Sequence, residues 1–130
     1  MCLEIVATIN PSASTRISAA RMSEISGLVV SSRKFEGISC LHFSVTGGCS
    51  CEFLSDAAEF EAESWALAPE HLPKLAEAIA ALRVECKQFS FVAHWLGGER
   101  ERHTHEVSGE ALAALVLQNE IGNNVQYVVG

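Results

Sequence analysis

Two cysteines two residues apart form the most distinctive chemical feature of the chain, in the stretch Gly48-Cys49-Ser50-Cys51-Glu52-Phe53. On an extended strand, side chains at i and i+2 point to the same side, so both sulfurs would face one way. Two thiolates in that position could hold a soft metal, with Cys2 as a third ligand if the first strand lies beside them. Zinc, or another transition metal, is the cofactor this pattern would suit. The competing expectation is that Cys49 and Cys51 are small apolar residues facing the core, the commoner use of a free cysteine. A disulfide between them is disfavoured on an extended strand, where the geometry is poor.

Histidines supply a second candidate. His103-Thr104-His105 repeats the i, i+2 spacing, and His94 could complete a metal-binding trio if a turn at Gly97-Gly98 brings it opposite His103. That register conflicts with the apolar pattern, because it sets Phe89, Phe91, Ala93 and Trp95 on one face with Arg102, Thr104 and Glu106. The other register makes His103 and His105 packing groups beside the aromatic residues. His42 and Glu52 are a third candidate, as a cross-strand acid/base pair whose ordinary alternative is a surface contact.

The elements that must position these groups follow from periodicity. Leu3 to Ile9 is rich in β-branched residues and stops at Asn10-Pro11, which predicts a first strand. Ser12 to Ser26 predicts a helix with Ile17, Ala20 and Ile25 on one face and Gly27 at its C-terminal stop. Leu28-Val29-Val30 is a short strand or the tail of that helix, and Ser31 to Gly37 a polar connection. From Ile38 onward, Leu41, Phe43 and Val45 alternate with polar residues. After Thr46-Gly47-Gly48 the alternation resumes at Cys49, Cys51 and Phe53, which predicts a hairpin with a three-residue loop. Ser55 to Ser64 is acidic and solvated. Pro69 to Leu82 carries Leu72, Leu75, Ala76, Ile79 and Leu82 on one helical stripe. Phe89 to Leu96 and Arg102 to Val107 predict two more strands. Ser108 caps a helix with Ala111, Leu112, Leu115 and Val116 on its face, and Val125 to Val129 is a last strand.

With this order the expected fold is α+β, an antiparallel or mixed sheet with helices packed on one face. A ferredoxin-like arrangement with a β-α-β extension fits it. A length of 130 residues suits a single domain spanning 1–130. The Met1-Cys2 start followed by an aliphatic strand, together with Gly48-Cys49-Ser50-Cys51-Glu52-Phe53, resembles a group of small uncharacterised bacterial proteins. These share a Met-Cys start and a Gly-Cys-x-Cys-x-Phe motif. The resemblance covers those two pieces and implies no activity, but it favours Cys2, Cys49 and Cys51 acting together.

Nine basic against sixteen acidic side chains give a formal charge of -7, which disfavours nucleic acid as a partner. No apolar run approaches the roughly 20 residues a membrane span needs. The N-terminus lacks the pattern of a signal peptide, so the cytoplasm is the expected compartment. Neither a nucleophile elbow nor a phosphate-cradling glycine loop is present. The expected function is therefore a non-enzymatic binding or interaction module acting through its sheet, with a small-molecule ligand or a second copy as partner. The alternative is a metal- or thiol-dependent activity centred on the Cys-x-Cys hairpin.

Overall fold

A computed structural model describes residues 3–9, 19–35, 38–59, 62–96 and 101–130. Six strands form one sheet: β1 (Leu3–Ile9), β2 (Val29–Phe35), β3 (Ile38–Ser44), β4 (Phe89–Trp95), β5 (His103–Val107) and β6 (Val125–Val129). Three helices accompany them: α1 (Ala19–Ser26), α2 (Leu72–Glu85) and α3 (Gly109–Leu117). The spatial order is β2-β3-β1-β4-β6-β5. The first four strands pair antiparallel, and with α1 and α2 between them they make the β-α-β-β-α-β unit of ferredoxin-like folds. The remaining β5-α3-β6 unit joins through β6, which runs antiparallel to β4 and parallel to β5. The expected α+β fold, with its β-α-β extension, is therefore the observed one.

Period-two patterning decides which face the helices cover. Leu3, Ile5, Ala7 and Ile9 of β1 are buried, and Phe89, Phe91 and Ala93 of β4 continue the same layer. Against them lie Leu75, Ile79 and Leu82 of α2, with Leu112 and Val116 of α3. Side chains of this size stabilise a fold by about 1.5–3 kcal/mol each when fully buried. The alternate residues Glu4, Val6 and Thr8 point the other way and stay half-buried. No helix covers them among the described residues, and this face is partly open: Val92 and His42, opposite Val6, are buried, while Ile38 is exposed.

Several local expectations need correction. The buried residues of α1 are Met22 and Ser26, one turn apart, while Ala20 is exposed and Ile25 is 43% exposed; Ile17 lies outside the described residues. Gly27 does end the helix, with φ +76° and its N–H donating to the Ser23 carbonyl at 2.9 Å. Ser31 to Phe35 extends β2 as an edge strand instead of forming a loop, because it finds β3 to pair with. The strand expected over Cys49 to Phe53 is a 3-10 turn over Ser50–Phe53. In such a turn residues i and i+3 share a side, and Ser50 and Phe53 are the two that are buried.

The acidic loop after this turn is tied down at its far end. Trp65 and Leu67 are buried, and the Trp65 indole N–H donates to the Ala93 carbonyl at 3.0 Å. Asn119, held at φ 58°, accepts from the Leu67 N–H at 3.0 Å and donates to the Leu67 carbonyl at 2.9 Å. That side chain acts as a two-bond clip in place of a strand neighbour.

Candidate functional site

The thiol turn can be built from an unfinished ladder. β3 pairs with β1 from Cys40↔Thr8 to His42↔Val6, but β1 continues back to Leu3 while β3 turns away at Ser44. The backbone groups of Ile5 and Leu3 on that edge then need other partners. Three consecutive side chains supply them. Ser50 Oγ accepts the Ile5 N–H at 3.0 Å, Cys51 Sγ accepts the Leu3 N–H at 3.1 Å, and Cys49 Sγ donates to the Leu3 carbonyl at 3.6 Å. Ser50 also donates to the Phe43 carbonyl, and Cys49 Sγ caps the 3-10 turn by accepting the Cys51 N–H at 3.2 Å. The Cys-Ser-Cys sequence thus replaces a missing strand with side-chain hydrogen bonds. Both cysteines are half-buried, and Cys51 packs against the edge of the core.

Cys2 lies outside the described residues, and so does the Gly97-Gly98 turn. His42 and Glu52 are not a pair. With the second strand of the hairpin absent, Glu52 bends back over the loop, taking the Thr46 hydroxyl and the N–H groups of Thr46 and Gly48. Those bonds, the Thr46 hydroxyl first, lower the pKa of its carboxyl. His42 is 3% exposed and has its Nε2 3.3 Å from Ser50 Oγ. Burial, followed by the Arg33 charge, pulls its pKa below the usual histidine value, while Glu4 opposes the shift.

The three histidines of the expected trio are not brought together. β6 lies between β4 and β5, which places His94 two strands away from His103 and His105. The faces differ as well. His105 pairs across to Tyr127, which pairs with Phe91 on the helix side, whereas His94 pairs with Glu4 on the open side. The His105 ring meets Tyr127 edge-on, with centroids 6.1 Å apart. No cluster of three metal-ligating side chains occurs among the described residues.

What the sequence reading missed is the open face itself. A cleft of about 370 Å³ crosses β3, β1 and β4 there. Val6 and Val92, opposite one another in the sheet, share its lining with Ile38, Cys40 and Leu96. Glu4 stands between two basic groups, 3.9 Å from the Arg33 guanidinium and 3.4 Å from His94 Nε2. Arg102 lines the same cleft and is oriented by its Nε–H bond to Asn124 Oδ1 at 3.0 Å. Burial above all, then Arg102, keeps the His94 pKa below its ordinary value, against the pull of Glu4. Burial raises the pKa of the Cys40 thiol, with Arg33 opposing. Two of the nine basic residues of this acidic chain therefore converge on one apolar-lined cleft. Glu4, a charge near the start of a strand rich in β-branched residues, was the available signal.

The chain matches no known protein family, no curated protein and no solved structure. No helix among the described residues is long and apolar enough to cross a membrane.

Proposed function

We propose that the chain is a non-enzymatic binding module that takes a small amphipathic anion on the open face of its sheet. One observation carries the reading: an apolar-lined cleft with Arg33 and Arg102 among its lining residues, in a chain that is otherwise strongly acidic. Its volume falls within the roughly 300–1,000 Å³ of small-molecule sites, which combine apolar walls with a few fixed polar groups. Two guanidinium groups against one carboxylate leave a net positive charge when His94 is neutral, which suits a single carboxylate or similar anion. Val6, Ile38 and Leu96 offer the apolar part of such a ligand a surface to cover.

Calorimetric titration with octanoate and, separately, with 1-octanol tests the reading, since the two share a tail and differ in charge. Octanoate binds with one-to-one stoichiometry, and the alcohol binds at least about tenfold more weakly, the scale of a charge-assisted hydrogen bond. Arg33→Gln and Arg102→Gln each weaken octanoate by about three- to tenfold, a reduced effect because these groups are partly in solvent. Equal affinity for acid and alcohol, or no binding of either, refutes the anion site. Sedimentation as a dimer that protects Ile38 and Leu96 without ligand would replace this reading by self-association through the same face.

A further inference from the structure

The two thiols of the turn are closer to reacting with each other than a strand would allow. On an extended strand, residues i and i+2 are about 6.6 Å apart along the chain and their side chains run parallel, near the limit for a disulfide. Here only Cys49 is extended, at φ -76° and ψ 152°, and the chain then winds into the 3-10 turn. The rise falls to about 2.0 Å per residue in such a turn. It also aims the Cys49 side chain at Cys51, with the sulfur 3.2 Å from the Cys51 amide nitrogen. The turn thereby brings the two residues closer than an extended strand would.

We propose that Cys49 and Cys51 are a dithiol–disulfide pair whose oxidation releases Leu3 of β1 from the turn. The oxidant is a low-molecular-weight disulfide. One cysteine thiolate attacks it, forming a mixed disulfide and expelling a thiolate that takes up the proton the attacking thiol lost. The second cysteine thiolate then attacks the protein sulfur of the mixed disulfide. A Cys49–Cys51 bond forms, the mixed bond breaks, and a second small thiol leaves with the second proton. Both electrons from the two cysteine sulfurs end on the oxidant, which departs as two thiols.

Closure draws Cys51 Sγ away from the Leu3 N–H and removes the proton that Cys49 donates to the Leu3 carbonyl. Ser50 Oγ keeps its bond to the Ile5 N–H, so the release stops there. Between these two points lies Glu4, whose carboxylate reaches Arg33 and His94 in the open-face cleft. The thiol state therefore changes what holds Leu3, the neighbour of Glu4, on one side of β1, while β4 keeps its pairing from Leu3↔Trp95 onward on the other. Partly exposed and strained disulfides are the labile ones, so a ring this small is readily reduced again. Of the other described cysteines, Cys86 is buried with its thiol on the Gln88 carbonyl, and Cys40 sits on β3 opposite Thr8.

The test uses the full chain with excess oxidised glutathione, followed by iodoacetamide trapping, peptide mass mapping and amide hydrogen exchange by NMR. Cys49 and Cys51 should lose two hydrogens together, resist alkylation, and recover on reduction with dithiothreitol. In the oxidised protein the Leu3 amide should exchange at least about tenfold faster, while Ile5 changes less than about twofold, as local opening requires. Cys49→Ser should carry glutathione on Cys51 and form no ring. Persistent mixed disulfides on both cysteines, no oxidation, a bond joining either to Cys2, or a closed ring with Leu3 exchange unchanged would each overturn the proposal.

Discussion

Ser50→Ala tests whether side chains do complete the β1 ladder. The hydroxyl is fully buried, accepts the Ile5 N–H at 3.0 Å and donates to the Phe43 carbonyl. Alanine fits the space but leaves both backbone groups without that partner and out of water. Each buried group left unsatisfied costs about 1–3 kcal/mol, so the variant should lose about 2–6 kcal/mol. Domains of this size have about 5–15 kcal/mol in total, which makes the loss a large fraction of the fold's stability. Urea denaturation followed by circular dichroism should show a lower midpoint with an unchanged slope, the mark of a stability change without a change in the surface exposed. Thr46→Ala serves as the control, since it removes only an exposed contact to Glu52 and should cost less than about 0.5 kcal/mol. A Ser50→Ala loss no larger than that control would refute the idea that the turn replaces a strand.

Histidine titration and the Asn119 clip give two further tests. His42 and His94 have folded pKa values lowered by burial, so the unfolded chain binds protons first as pH drops. Their contribution to stability is complete above the ordinary value of about 6.5 and is lost as pH falls from there toward the folded values, by at most about 1.4 kcal/mol per pH unit for each group. Urea midpoints between pH 7.5 and 5.5 should decline, and less steeply in His94→Gln; midpoints flat or rising over that range would contradict the shifts. Asn119→Ala removes both bonds to the Leu67 backbone and puts alanine at φ 58°. It should destabilise by about 2–4 kcal/mol in the same assay, and a loss under about 1 kcal/mol would show that the clip is redundant.

Strong periodicity carried most of the fold into the sequence. β1, α2 and β4 follow from repeats of apolar residues, and Ser108 was legible as a cap because its hydroxyl takes the Ala111 N–H at 3.0 Å. The Cys49 to Phe53 stretch misled because Cys-Ser-Cys-Glu-Phe alternates in letter type while the chain follows a period of three, so the buried residue is the polar Ser50. Nothing local distinguishes those cases. The deciding fact is that Leu3 and Ile5 lack a strand neighbour on the β3 side, which is a tertiary circumstance. The histidine trio depended on β4 and β5 being neighbours, and β6, nearly twenty residues further along the chain, comes between them. The cleft was hidden for the same reason. Glu4, Arg33, His94 and Arg102 come from four separate stretches of chain, and only the sheet order assembles them.

The central claim is that the open face of the sheet receives a small amphipathic anion, and backbone NMR shift mapping during an octanoate titration tests it most directly. Saturable shifts concentrated at Val6, Cys40, Val92 and His94, and diminished in Arg102→Gln, are the predicted result. Shifts confined to the helices, or none on these residues at saturating octanoate, would contradict it.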